Sequence, residues 1–370
     1  MKTKISEKNN FSILFPNALT VFLFFLFFNF PLKAEIRAIW VPVWDLKTAG
    51  KIDTLVAEVK NNHLNQILAE VRYRGDAMYF PNKTDSTFSN PEERCYVLSD
   101  SLFDPLAYLI GKAKEKKIEV YAWVTTFVVT PHKLENISKN HIYYRHPEWI
   151  TADFLHRKMS PQILEGAYLD PGIPEVREYL KNIFLDIVKN YEIDGIQLDY
   201  IRYPGIEFGY NQKAREIFKS QIKFQDAESW QNWKEKQINL FVRNLYNEIK
   251  SISPKTKVTA AVISKPKTAR EWYSQNWIKW LQEGYLDKAY LMAYETDNFK
   301  FSALIDSVET FGLNKKIVVG LRAWSNNCHY SVSKINEKIE IIHKRKFAGL
   351  AFFSYSGIKK CNYFEGLRIK

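Results

Sequence analysis

Cysteine is scarce in this chain: Cys95, Cys328 and Cys361 are all there are in 370 residues. Three leave at least one unpaired, which excludes a disulfide framework. Cys328 and Cys361 fall in late segments able to meet above a barrel, so a bond between them is one option. No cysteine stands near the end of the N-terminal apolar run, which excludes a lipoprotein anchor. A glycine-rich phosphate loop and a serine nucleophile elbow are both missing. No block of like charge is long enough for a nucleic-acid arm. His132, His141, His146 and His156 share one stretch, yet their spacing matches no compact metal-ligand motif. Internal repeats, low-complexity tracts and linkers are absent too.

What the chain does have is bulk: 46% of it is hydrophobic and 15% aromatic. That is ample for one large core. The first 34 residues stand apart. Lys2, Lys4 and Lys8 precede an apolar run from Ala18 to Phe30, and Pro31-Leu32-Lys33-Ala34 ends in a small residue. This reads as a secretory signal over residues 1–34. The run is short of the roughly 20 residues a membrane span needs, and an uncleaved anchor is the alternative. The formal net charge is +12. A basic surface suits an acidic partner such as an anionic glycan or an envelope surface. The competing explanation is ordinary alternation on helix faces, as in Lys112-Ala113-Lys114-Glu115-Lys116-Lys117.

From residue 35 onward, apolar runs alternate with amphipathic stretches. The runs are Ile36 to Trp44, Asn65 to Arg72, Glu119 to Phe127, Gly195 to Ile201, Lys257 to Ser264, Lys288 to Glu295, Lys316 to Trp324 and Gly349 to Gly357. Near-continuous apolar runs of this length are typical of parallel strands buried on both faces. Between them, Ile52, Leu55, Val56 and Val59 repeat at helical spacing. Asp104-Pro105 and Pro174 are helix start signals. Eight such units predict an α/β fold, a (β/α)₈ barrel in one domain over residues 35–370. An open doubly wound sheet would place a glycine-rich turn after its first strand, and Pro42-Val43-Trp44-Asp45 stands there instead. The two longest connections follow strands 2 and 3, where a barrel shapes its substrate cleft.

Catalytic groups of a barrel sit where strands end at its C-terminal face. Those ends hold Trp44, Glu70, Arg72, Trp123, Asp199, Arg202, Tyr203, Tyr294, Glu295, Asp297, Arg322 and Trp324. Carboxylates, arginines and large aromatics together suit a sugar, whose ring faces stack and whose hydroxyls bond. Asp199 closes Asp194-Gly195-Ile196-Gln197-Leu198-Asp199 and is the expected nucleophile or base, held ionised by Arg202. Its expected partner acid is Glu295, then Asp297, then Glu70. For Glu70 a buried ion pair with Arg72 or Arg202 is the alternative. Trp44, Glu70, Arg72, Trp123, Arg202, Tyr203, Tyr294, Arg322 and Trp324 are the expected sugar-binding set.

Several landmarks carry a family resemblance. Glu70-Val71-Arg72-Tyr73-Arg74-Gly75-Asp76-Ala77-Met78-Tyr79 comes first, then Phe103-Asp104-Pro105-Leu106 and Tyr121-Ala122-Trp123. Tyr168-Leu169-Asp170-Pro171-Gly172 and Asp194 to Pro204 follow in order. The chain resembles the bacterial glycosyl-hydrolase-like 10 family, the YngK-like proteins. That resemblance implies a barrel of the α-amylase-like glycosidase type and hydrolysis of secreted or cell-envelope glycans, in some members peptidoglycan glycan strands. Asp199 matches the family's motif Asp at the fourth strand. Many members carry two acids in a row there, and this chain has Tyr200 in the second place.

The resulting expectation is a periplasmic or extracellular glycoside hydrolase using two carboxylates, with no cofactor and no metal. A non-catalytic glycan-binding barrel is the alternative. A metal-dependent carbohydrate hydrolase would need the loop histidines to converge. The expected partner is an oligo- or polysaccharide, without nucleic acid, and with a membrane only if the leader stays uncleaved. The expected state is a monomer.

Overall fold

The computed structural model describes residues 35–369, and the expected leader over residues 1–34 lies outside them. Eight parallel strands form the barrel: β1 Ile36–Val41, β2 Gln66–Tyr73, β3 Glu119–Thr125, β4 Gly195–Asp199, β5 Lys257–Ile263, β6 Lys288–Ala293, β7 Ile317–Arg322 and β8 Gly349–Phe353; a two-residue strand, Asp76–Ala77, adds antiparallel to β2. Each pairs with the next, and β8 pairs back onto β1, Phe353 opposite Trp40. The sheet is therefore closed, as the eightfold alternation predicts.

Helices cover the outside: α1 Ala49–Asn61, α2 Pro105–Glu115, α3 Pro174–Asn190, α4 Gln212–Gln221, α5 Ala227–Ile252, α6 Pro266–Tyr273, α7 Trp277–Gln282, α8 Asn298–Glu309, α9 Val332–Lys344 and α10 Tyr355–Cys361. The predicted start signals act as such. Asp104 accepts the Ala107 N–H at 3.1 Å ahead of Pro105, and Pro174 opens α3. Among the described residues no helix is long and apolar enough to cross a membrane.

Strand alternation divides the core in two. Ile39, Val41, Ile67 and Ala69 face the helices. Ala38, Trp40, Leu68, Tyr121, Trp123 and Tyr290 fill the barrel. Trp40 spans that interior, and its indole N–H donates to Gln197 Oε1 at 2.6 Å. Gly320 leaves it room, since a Cβ there would stand 2.4 Å from the Leu291 carbonyl oxygen and 3.0 Å from the Trp40 ring.

A β-bulge breaks the alternation at the end of β2. Glu70 lies opposite Trp123, but Arg72 lies opposite Val124, so one residue is extra. Without the bulge Glu70 and Arg72 would share a face. With it, Glu70 stays inside the barrel and Arg72 turns out toward α3. There Arg72 meets Glu92 at 2.5 Å, while Tyr179 of α3 donates to Glu92 at 2.8 Å. This pair pins the loop after β2 to the barrel wall. The loop after β3 is pinned by buried Asp170, which accepts from the Thr151 hydroxyl and the Gly172 N–H, both at 2.8 Å. Cys328 and Cys361 are joined, tying the loop after β7 to the end of α10, and Cys95 is buried and free.

Candidate active site

A cavity of about 530 Å³ opens at the C-terminal mouth of the barrel. Trp40 forms part of its lining, below the carboxylates Glu70 and Asp199.

Asp199 ends β4 and is buried. One carboxylate oxygen accepts the Trp123 indole N–H at 2.9 Å, and the other accepts the Tyr200 N–H at 2.7 Å. Tyr200 supplies that N–H from a left-handed conformation, φ +50°. A tyrosine held there is strained, and such strain gathers at functional sites. Burial pushes the Asp199 carboxyl above its ordinary range, while the Arg202 guanidinium, 3.9 Å away, and the two N–H donors favour the ionised form.

Glu70 sits in the end of β2 and accepts the Val43 N–H at 3.2 Å. Burial pushes it up to about 7, against the pull of the Arg74 guanidinium and that N–H. The Asp199 charge adds to the rise. The two carboxyls therefore feel each other and stand in unlike surroundings.

Two arginines complete the charged set. The Arg202 guanidinium lies 4.6 Å from the Tyr200 ring centre and that of Arg74 lies 5.3 Å from it. Tyr200 thus binds two cations by its face. Glu165, from the loop after β3, reaches the cavity, approaches Arg202 at 3.7 Å and accepts from the Tyr168 hydroxyl at 3.2 Å. The opposite wall is aromatic. Tyr294 packs on Trp324 and Phe353 with centroids 5.0 and 5.5 Å apart, and Trp123 meets Phe353 at 6.1 Å.

Of the residues singled out in the sequence, Asp199, Glu70, Trp123, Arg202, Tyr294 and Trp324 line this cavity. The others stand elsewhere. Arg72 is fully buried, spending its guanidinium on Glu92 and on the carbonyls of Thr125 and Thr126. Tyr203 is fully buried behind the mouth. Arg322 lies 4.5 Å over the Trp324 ring and does not line the cavity. Trp44 is exposed on the rim. Asp297 is exposed and caps α8, accepting the Lys300 N–H at 2.8 Å. Glu295 follows the inward-facing Tyr294, so alternation turns it away, toward Lys338.

The loop histidines have separate partners. His132 bonds the Leu164 carbonyl, His141 the Arg74 carbonyl, His146 Glu148 and His156 Arg215. Among the described residues no group of three or more His, Cys, Asp or Glu is placed to hold a metal ion. Sequence reasoning did not single out Trp40, Tyr73, Arg74, Glu165, Tyr200 or Phe353 as site residues. The inward parity of β1 and β8 would have found Trp40 and Phe353. Glu165 lies in a loop with no periodicity and gave no signal.

Residues 35–342 match the family model described as glycosyl hydrolase-like 10. The chain belongs to that family. It is 25% identical over 247 residues to Glycosyl hydrolase YngK of Bacillus subtilis (strain 168), covering 60% of this chain and 44% of YngK. Over 166 residues it is 26% identical to Glycosyl hydrolase DigH of Escherichia coli (strain K12), covering 41% of this chain and 34% of DigH. The matches thus span less than half the length of these relatives. Among solved structures, the PgaB glycoside hydrolase domain from Bordetella bronchiseptica superposes with a TM-score of 0.70 at 13% identity, covering 90% of this chain and 97% of that one. Alpha-L-fucosidase isoenzyme 2 from Paenibacillus thiaminolyticus gives 0.64 at 12% identity, covering 90% of this chain and 48% of that one. At these identities the likeness is one of fold.

Proposed function

We propose that this protein is a glycoside hydrolase that cleaves a polysaccharide with Glu70 as general acid and Asp199 as nucleophile or base. The observation that carries the reading is the pair of unlike carboxyls in one aromatic cavity. Glycoside hydrolysis needs one carboxyl that keeps its proton and one that gives it up. Glu70, pushed up to about 7 by burial, keeps a proton near neutrality. Asp199, with two N–H donors and Arg202 beside it, is the better anion. Tyr294, Trp324 and Phe353 offer ring faces to the sugar. The proposal gives the acid to Glu70 in preference to Glu295 or Asp297, which do not line the cavity.

Glycan strands of the cell envelope, including peptidoglycan, are the proposed substrate class, on the strength of family membership and the basic charge. The proposed location is periplasmic or extracellular. The signal-like leader supports it, and so does the Cys328–Cys361 bond, since structural disulfides persist in oxidising compartments.

The test is hydrolysis of a panel of purified glycans, stem-free peptidoglycan strands included, by the chain and by its Asp199→Asn and Glu70→Gln variants. Turnover by the unaltered chain and its loss in both variants is the expected result. Glycan binding with no hydrolysis of any member would overturn catalysis and leave a glycan-binding barrel in its place.

A further inference from the structure

We propose that Trp44, Tyr73 and Tyr96 form a sugar subsite that leads out of the catalytic cavity, so that the protein grips a glycan chain longer than the cavity holds. This rests on the glycan reading above and names the rings that hold sugars beyond the reacting one.

Three observations converge on these rings. Tyr73 lines the cavity, so the run begins in the catalytic wall. Trp44 packs against Tyr73 with centroids 5.8 Å apart and planes at 67°, and Tyr73 meets Tyr96 at 6.3 Å and 60°. Edge-to-face packing of this kind fixes a ring without covering it. Trp44 is accordingly 45% exposed. The ring contacts therefore run from the cavity wall at Tyr73 to the exposed Trp44 on the rim.

The backbone beneath Trp44 is held as firmly as its ring. The Trp44 carbonyl accepts from Lys51 Nζ at 2.8 Å. The preceding residue, Val43, gives its N–H to Glu70. One short 3-10 turn, Val43–Asp45, thus supports the cavity acid and presents the indole. A sugar stacked on Trp44 is next to the reacting sugar of the same chain. A glycan strand has apolar ring faces at regular intervals, and a row of fixed aromatics matches that pattern. The flank is also cationic, with the Arg74 guanidinium 5.6 Å from the Tyr73 ring centre.

The test compares Trp44→Ala and Trp44→Phe on short chito-oligosaccharides and on long stem-free glycan strands. Trp44→Ala should lose about tenfold more kcat/KM on the long strands than on the short oligomers, the loss appearing in KM, and Trp44→Phe should recover most of it. Equal losses on both lengths, or none on either, would overturn the subsite. Should the unaltered chain hydrolyse nothing, the catalytic reading fails separately. The same contrast is then read as binding of strands and oligomers, where a length-independent effect of Trp44→Ala overturns the subsite and a strand-selective one supports it. Tyr96→Ala, which leaves the Trp44 turn intact, repeats the comparison and should show the same length selectivity.

Discussion

From β1 to β4 the mouth carries every charged group that lines the cavity, namely Glu70, Arg74, Glu165, Asp199 and Arg202. From β5 to β8 it contributes Ala261, Ile263, Ser264, Met292, Tyr294, Trp324 and Phe353, none of them charged. The halves do different work. The first supplies N–H donors and guanidiniums, which hold carboxylates in a dry place. The second adds apolar and aromatic lining, and burial is the leading reason that Glu70 rises to about 7.

The largest expected effects fall on the charged half. Asp199→Asn and Glu70→Gln should each lower turnover by about 10²–10⁴-fold, as loss of a positioned acid or base does. Glu295→Gln, on the other half, should cost less than about tenfold. Rates on a hydrolysed glycan check both, and comparable losses at Glu295 and Glu70 would erase the distinction between the halves.

Next comes the support beneath that half. Arg72→Met leaves Glu92 buried without its cation, and stability should fall by about 3–5 kcal/mol. Denaturant unfolding measures it. A loss well below that range would mean that the loop after β2 is held by something other than this pair.

The smallest effect belongs to the uncharged half. Asp297→Ala removes the cap of α8 and should cost about 1 kcal/mol, with turnover little changed. A large loss of turnover with normal stability would return Asp297 to the chemistry.

The same contrast explains what could be read beforehand. The barrel was legible because eight buried strands are nearly all apolar and helices with Asp104-Pro105 and Pro174 starts lie between them. Asp199 was legible because it ends such a strand. Glu295 was expected as the acid, yet Tyr290, Met292 and Tyr294 share one parity, so the residue after Tyr294 leaves the barrel. That signal was present and outweighed by mere position at a strand end. Arg72 was not legible, because a bulge shifts its parity and no residue pattern in β2 announces it. Arg74 and Glu165 reach the cavity from loops, where side-chain direction depends on tertiary contacts. The Cys328–Cys361 bond was one option from the late position of both residues, and the fold brings their two loops together.

The proposed proton donor is Glu70, its carboxyl pushed up by burial. The most direct test is the pH dependence of kcat/KM for the unaltered chain beside Glu70→Gln and Glu295→Gln. A raised carboxyl is active as an acid below its pKa and inactive above it. Activity should therefore fall as pH rises through about 7 in the unaltered chain and in Glu295→Gln. That limb should vanish from the residual activity of Glu70→Gln. A limb that persists in Glu70→Gln, or that disappears in Glu295→Gln instead, would take the role of proton donor away from Glu70.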